Sequence, residues 1–138
     1  MKKTPIKRKS KSERTKLTDK LDTVCRAIVR IRDESLCQYC GVYGEGASMH
    51  CSHVVAKGHG ASWRRFDLLN LKLLCYHHHI NWWHMHPTES GLWFAQKFPV
   101  RHKYLEKYRH GAVAKISMVE MQALLEERQE KLELLQSE

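Results

Sequence analysis

Two short pairs of metal-ligand residue types, Cys37-Gln38-Tyr39-Cys40 and Cys75-Tyr76-His77-His78, constrain this chain more than any other feature. Donors that flank a two-residue turn reach one ion without strain, and zinc takes four N or S donors at tetrahedral corners. The spacing therefore predicts a structural Zn²⁺ on Cys37, Cys40, Cys75 and His78, joining an early knuckle to the start of a later helix. His77 is a register alternative to His78. The competing reading makes Cys75 a buried thiol and the histidines surface residues. Cys25, on an apolar helix stripe, and Cys51, alone in a strand, read as core residues. Five cysteines are an odd number, and the Lys-rich start lacks the apolar run of an export signal. A disulfide framework is therefore not expected, and a soluble intracellular protein is.

A length of 138 residues suits one compact domain with terminal extensions. The formal charge of +9 favours a polyanionic partner, and it is unevenly placed. Residues 1–16 hold eight basic residues and one acid, while residues 117–138 hold two against six. The first segment has too little apolar content to offset its ordering entropy, so residues 1–17 are expected to form a disordered basic arm. An amphipathic helix is expected from Thr18 or Asp19 to about Asp33, with Leu21, Val24, Cys25, Ile28 and Ile31 on one face. Residues 47–56 alternate like a strand or hairpin, and Lys57-Gly58-His59-Gly60 breaks it. A His-rich helix over about residues 76–85 is expected to stop at Pro87. Two short helices follow at about 89–98 and 100–110, closed by Gly111. Ser117 and Glu120 form a capping box that opens a last helix to about Gln136. Its stripe of Met118, Met121, Leu125, Leu132 and Leu135 suits either packing on its own core or a homodimer through C-terminal helices. The units are thus an arm (1–17), a core with an N-terminal helix and knuckle (18–112) and a C-terminal helix (113–138).

Between and after the metal pairs lie His53, ending a strand-like segment, Asn70, following a basic Gly-containing loop, and His79, directly after the second pair. In this pattern the chain resembles the HNH endonucleases, whose signature is a His at the end of a first strand, a central Asn, and a His straight after a metal pair. The run Asn70-Leu71-Lys72-Leu73-Leu74-Cys75 and the triplet His77-His78-His79 sit where that family has its Asn-to-Cys segment. A narrower similarity is to the phage NinG/Rap recombination nucleases. It rests on Leu21 to Gly41, on Arg65-Phe66-Asp67-Leu68-Leu69-Asn70 and on the run from Val100 through Leu135. The resemblance implies an α+β fold, mostly helical overall, with a small zinc-stabilised ββα-metal core and flanking helices.

The same resemblance implies a metal-dependent DNA endonuclease giving 5′-phosphate and 3′-hydroxyl ends. His53 would be the general base, since an imidazole titrates near neutrality. Asn70 would bond backbone in the hairpin loop and so orient His53, and His79 would hold a catalytic divalent cation (Mg²⁺, Mn²⁺, Ni²⁺ or Zn²⁺). Two departures from the family stand out. The residue before the base, commonly an Asp or His ligand, is Ser52, and His50, on the Ser52 side of the strand, is the substitute, directly or through water. Four residues after His79, where some members add a ligand, the chain has Trp83; His84 and His86 are off register. Lys57, Arg64, Arg65 and Lys72 are expected to contact the DNA backbone, with Arg64 and Arg65 as ordinary loop charges the alternative. Trp63 is the stacking candidate, and Trp83 and Trp93 belong to the core. The implied setting is phage recombination on branched or single-strand-containing DNA in the cytoplasm of a bacterial host, without a membrane. Rival readings are an HNH nuclease of packaging or homing and, from another class, a non-catalytic zinc-stabilised DNA-binding protein.

Overall fold

The computed structural model describes residues 1–110 and 115–138, so the expected helix stop at Gly111 lies outside the described residues. The elements run α1 (Glu13–Arg32), β1 (Met49–His53), α2 (Trp63–Phe66), β2 (Leu71–Cys75), a π-helical segment (His78–Trp83), α3 (Pro87–Lys97), α4 (Pro99–His110) and α5 (Met118–Gln136). The chain is thus mixed helix and strand with one small antiparallel sheet. Among the described residues, no helix is long and apolar enough to cross a membrane.

Helix α1 starts earlier than the periodicity predicts. Ser12 is extended and its hydroxyl accepts from the Thr15 amide at 3.2 Å, while Glu13 places an acid in the first turn; both favour a helix start here. Thr18, the expected cap, is instead inside the helix and donates its hydroxyl to the Arg14 carbonyl. Only residues 1–11 lie outside any element as an exposed basic segment, so the arm is shorter than 1–17. The buried face of α1 carries Leu21, Val24, Cys25, Ile28 and Val29, and Ile31 is exposed.

The sheet pairs His50 with Leu74, Ser52 with Lys72 and His53 with Leu71. Alternation fails in β2, where Leu71 through Leu74 are all buried, because this short strand is covered on both sides. The apolar face of α1 packs on one side, with Asp33 just past that helix accepting from the Leu73 amide at 2.9 Å along the strand's outer edge, and Trp83 lies over the other side against Lys72. Pro87 does stop the preceding segment, and it also opens α3 from the first-turn position, where its missing N–H goes unneeded. Helix α4 is tied to the turn before β2: Arg101 donates to the Leu69 and Leu71 carbonyls, and the hydroxyls of Tyr104 and Tyr108 donate to Asp67 Oδ2.

The capping box forms as expected, with Ser117 and Glu120 each bonded to the other's backbone amide. Helix α5 then runs alongside α1 in the same direction. Near its start Arg14 donates to the Ile116 carbonyl at 2.8 Å, and further along Arg128 lies beside Cys25. Met121, Leu124 and Leu125 are buried in the common core, with Leu132 and Leu135 packed against it and Met118 exposed. Each such buried side chain stabilises the pair by about 1.5–3 kcal/mol relative to exposure.

Candidate functional site: a cysteine-histidine cluster and a histidine-lined cleft

The knuckle forms where Leu36 bridges to Tyr43 across a turn. Gly41 there has a φ of 74°, a backbone state that a residue without Cβ adopts freely. The two halves of the cluster meet through one backbone bond, from the Gln38 amide to the Leu73 carbonyl at 2.9 Å. As a result the donor atoms of Cys37, Cys40, Cys75 and His78 all lie within 4.8 Å of one another. His78 Nδ1 is 3.1 Å from Cys75 Sγ and 3.9 Å from Cys37 Sγ. A tetrahedral zinc site has thiolates about 3.8 Å apart, so these four residues could hold a metal ion such as zinc. Burial works against a Cys37 thiolate, but hydrogen bonds from the backbone of Cys40, Cys75 and Tyr39 outweigh it and draw the thiol below its ordinary value. That favours the deprotonated donor a metal needs. His77, the register alternative, is exposed and turned toward Asn81. Cys25 and Cys51 are outside the cluster, and burial pushes their thiols up to about 11 and about 12.

A second site opens as a cleft of about 530 Å³ on the other flank of the sheet, lined by His53, Lys57, His79, Trp83, His84 and Arg109 among others. Among the described residues, no acidic side chain lines it. His53 ends β1, and its Nε2 lies 3.0 Å from the Arg65 carbonyl. A carbonyl oxygen only accepts, so Nε2 carries the hydrogen and Nδ1 keeps the lone pair. Burial lowers the His53 pKa to about 4, so the ring is neutral at pH 7. Asn70 is fully buried. Its Oδ1 accepts from the Val55 amide at 2.7 Å, and its Nδ2 donates to the Val55 and Arg64 carbonyls, both at 2.9 Å. One side chain thereby clamps both ends of the loop that follows His53.

His79 sits between two other rings. His50 Nε2 lies 3.1 Å from the Ala47 carbonyl and so bears a hydrogen. In the neutral ring His50 Nδ1 is then an acceptor, and His79 Nδ1, 2.7 Å away, donates to it. His79 Nε2 is left with its lone pair directed at His84 Nε2, 3.0 Å distant. This is a hydrogen-bond distance, with the hydrogen of His84 Nε2 donated to the bare His79 Nε2. On the opposite side of the ring, His50 fixes the orientation of His79 through the Nδ1 bond. Burial lowers the His79 pKa to about 4, helped by His84 and His50, which keeps the ring neutral and able to ligate.

Several expectations need correction. His84 is off register in an α-helix, but the segment after β2 is π-helical, and the His84 amide bonds the His79 carbonyl at 3.2 Å. The i+5 step puts the two rings on one face, as π-turns often do at functional sites. Lys72 is not a surface contact: it is fully buried, its Nζ 3.1 Å from Ser52 Oγ and 3.3 Å above the Trp83 ring. Burial holds its amine well below the ordinary lysine value. Ser52 is correspondingly occupied and buried, away from any ligand role. Arg65 spends its guanidinium on Asp22, with Nε to Oδ1 at 3.0 Å and Nη2 to Oδ2 at 2.6 Å. Of the expected basic contacts, Lys57 lines the cleft, and Arg64 lies behind it against Gly58. Arg109, which no local pattern singles out, reaches the cleft only because α4 packs beside β2. Trp63 is partly exposed, and Trp83 is partly buried and packs against the core as expected, while its neighbour Trp82 is more deeply buried. No family model, curated protein or solved structure matches the chain, so the reading of the cleft rests on its own residues.

Proposed function

We propose that the chain is a metal-dependent DNA endonuclease of the HNH type, hydrolysing phosphodiester bonds to leave 5′-phosphate and 3′-hydroxyl ends. The observation that carries this reading is the convergence of the neutral His53 and the His79–His84 pair on one cleft that has Lys57 and Arg109 on its walls and no acid. His53 Nδ1, freed by the Nε2 bond to Arg65, takes the proton from the attacking water. Asn70 holds the loop that carries this arrangement and is not itself basic enough to take a proton. Lys57 and Arg109 bind the phosphate backbone, and the uncovered Gly60 lets the chain approach it closely. A divalent cation on His79 and His84 would offset charge on the scissile phosphate and on the leaving 3′ oxygen. The Cys37, Cys40, Cys75, His78 cluster holds a structural Zn²⁺ that fixes β2 and hence His79. The basic segment before α1 adds salt-sensitive, sequence-independent attraction to DNA. Phage recombination on branched DNA is the narrower proposal, carried by the sequence resemblance.

The test is cleavage of supercoiled plasmid and of linear, nicked and branched oligonucleotides with Mg²⁺, Mn²⁺ or Ni²⁺. Wild type is expected to cut, and His53→Ala to cut at least about a hundredfold more slowly with its fold and metal content intact. Intact DNA binding with no cutting under any metal would leave a zinc-stabilised DNA-binding protein instead. Equal rates on all substrates would remove the branched-DNA proposal alone.

A further inference from the structure

The carbonyl that sets the His53 tautomer belongs to α2, a helix of four residues. So short a helix has no stability of its own, and its position must come from outside. Burial of Phe66 and an Arg128 bond to its carbonyl at 3.2 Å anchor its last residue, and three ties fix the Arg64–Arg65 stretch. Ser62 caps it, its hydroxyl accepting from the Arg65 amide at 3.3 Å, and Asn70 Nδ2 donates to the Arg64 carbonyl. The third tie is the two-pronged bond from the Arg65 guanidinium to Asp22 of α1. Of the ion pairs among the described residues, this is the one that joins two helices. Its side chains are only 13% and 23% exposed, so water screens it less than a surface pair, and the fork fixes direction as well as distance. Arg65 Nη1 also donates to the Gly60 carbonyl at 3.3 Å, tying in the loop that leads to α2.

Asp22, Arg65 and His53 line one small cavity of about 80 Å³ together with Lys57. Space of that size beside polar groups admits water. A carbonyl held by the fork keeps Nε2–H engaged. A carbonyl free to tilt would yield that hydrogen to water, and the ring would then populate the opposite tautomer, with its hydrogen on Nδ1 and no lone pair there to accept a proton. We propose that the Asp22–Arg65 pair is a positioning device that holds His53 in its Nε2–H tautomer, so that α1, far from the cleft in sequence, determines whether the base is competent. The role as base rests on the nuclease reading above; the tautomer does not.

The test uses the full-length, zinc-loaded protein with ¹⁵N-labelled histidine. Two-bond ¹H–¹⁵N spectra of wild type at pH 7 are expected to show His53 with a protonated Nε2 and a bare Nδ1. Asp22→Asn and Arg65→Gln are each expected to mix in the Nδ1–H form and to lower the single-turnover cleavage rate at saturating DNA by roughly tenfold or more, with the Kd for DNA nearly unchanged. Asp22→Glu, which keeps the fork's acceptors, is expected to recover most of the rate. A merely structural pair would lower the melting temperature without moving the tautomer. Wild type in the Nδ1–H form, or either folded variant retaining the wild-type tautomer, overturns the proposal, and the wild-type spectrum decides it even should both variants fail to fold. Absence of cleavage by wild type, with the expected spectra, would instead overturn the nuclease reading and leave the positioning role standing.

Discussion

The two histidine-bearing sites are built in opposite ways. In the cysteine cluster, each half is a pair of donors with two residues between them, and one backbone bond between Gln38 and Leu73 brings the halves together. In the cleft, only His79 and His84 are local neighbours, through the π-helical i+5 step; His53 ends β1 and Arg109 arrives on α4. The first site is fixed by local turns and the second by tertiary packing. It follows that the cluster should be a condition for folding, and the cleft should tolerate the loss of its members with the fold retained.

The largest expected effect tests the first half of that contrast. Cys40→Ser removes one of four donors, and zinc binding in comparable small sites is worth about 10–16 kcal/mol, as much as a whole domain's stability of about 5–15 kcal/mol. The variant is expected to lose its cooperative thermal transition, as is wild type treated with a strong chelator. A wild-type-like melt for Cys40→Ser would erase the contrast.

Next in size is His84→Ala, which should leave the melt and the tightly bound zinc unchanged. Calorimetric titration with Ni²⁺ or Co²⁺ is expected to show the second ion bound at least about tenfold more weakly, and His50→Gln about 10- to 100-fold more weakly as an outer partner. His86→Ala should change nothing. Equal affinity in His84→Ala would mean that the π-helical contact carries no ligand role.

The acid response is smaller and has a definite sign. His53 and His79 titrate near 4 in the folded protein because burial disfavours their charged forms, and near 6.5 when unfolded. Between these values the unfolded chain binds more protons, so the stability due to these rings is complete above pH 6.5 and is lost as pH falls toward 4. The melting temperature should drop across that window, and His53→Gln should drop less steeply than wild type. Parallel slopes would show that His53 is not buried as a neutral ring.

The smallest effect is expected at Lys72. A buried amine with one hydroxyl partner and an aromatic ring is replaced by a side chain of similar shape in Lys72→Met. The melt should be unchanged or higher, and the salt dependence of DNA binding should match wild type. A phosphate contact there would instead reduce the salt slope by about one.

These contrasts also explain what could be read from the sequence. The Cys-x2-Cys and Cys-x2-His pairs and the Ser117–Glu120 box are statements about neighbours, and the chain obeys them. His53, Asn70 and His50 were singled out through strand position and resemblance; His53 lines the cleft, Asn70 bonds the loop after it, and His50 lies against His79. His84 was not, because the ordinary helical repeat rejects an i+5 neighbour and only a π-turn admits it. Lys72 and Arg65 read as surface charges by type alone. Their burial depends on Trp83 lying over one and Asp22 facing the other, across 11 and 43 residues of chain. The early start of α1 was hidden because Ser12 sits within a run of charge that masks its capping role.

The side-by-side course of α1 and α5 bears on how the chain is made. Leu21, Val24, Cys25 and Ile28 share their core with Ile116, Met121, Leu124 and Leu125, partners separated by nearly the whole sequence. Such distant contacts form late and slow the search for the native state. A ribosome must release most of α5 before α1 has its packing surface. The histidine cleft, whose loop is moored to α1 through Asp22, would therefore be assembled only after α5 has emerged, and a nascent chain truncated before α5 would carry all three histidines without a rigid site.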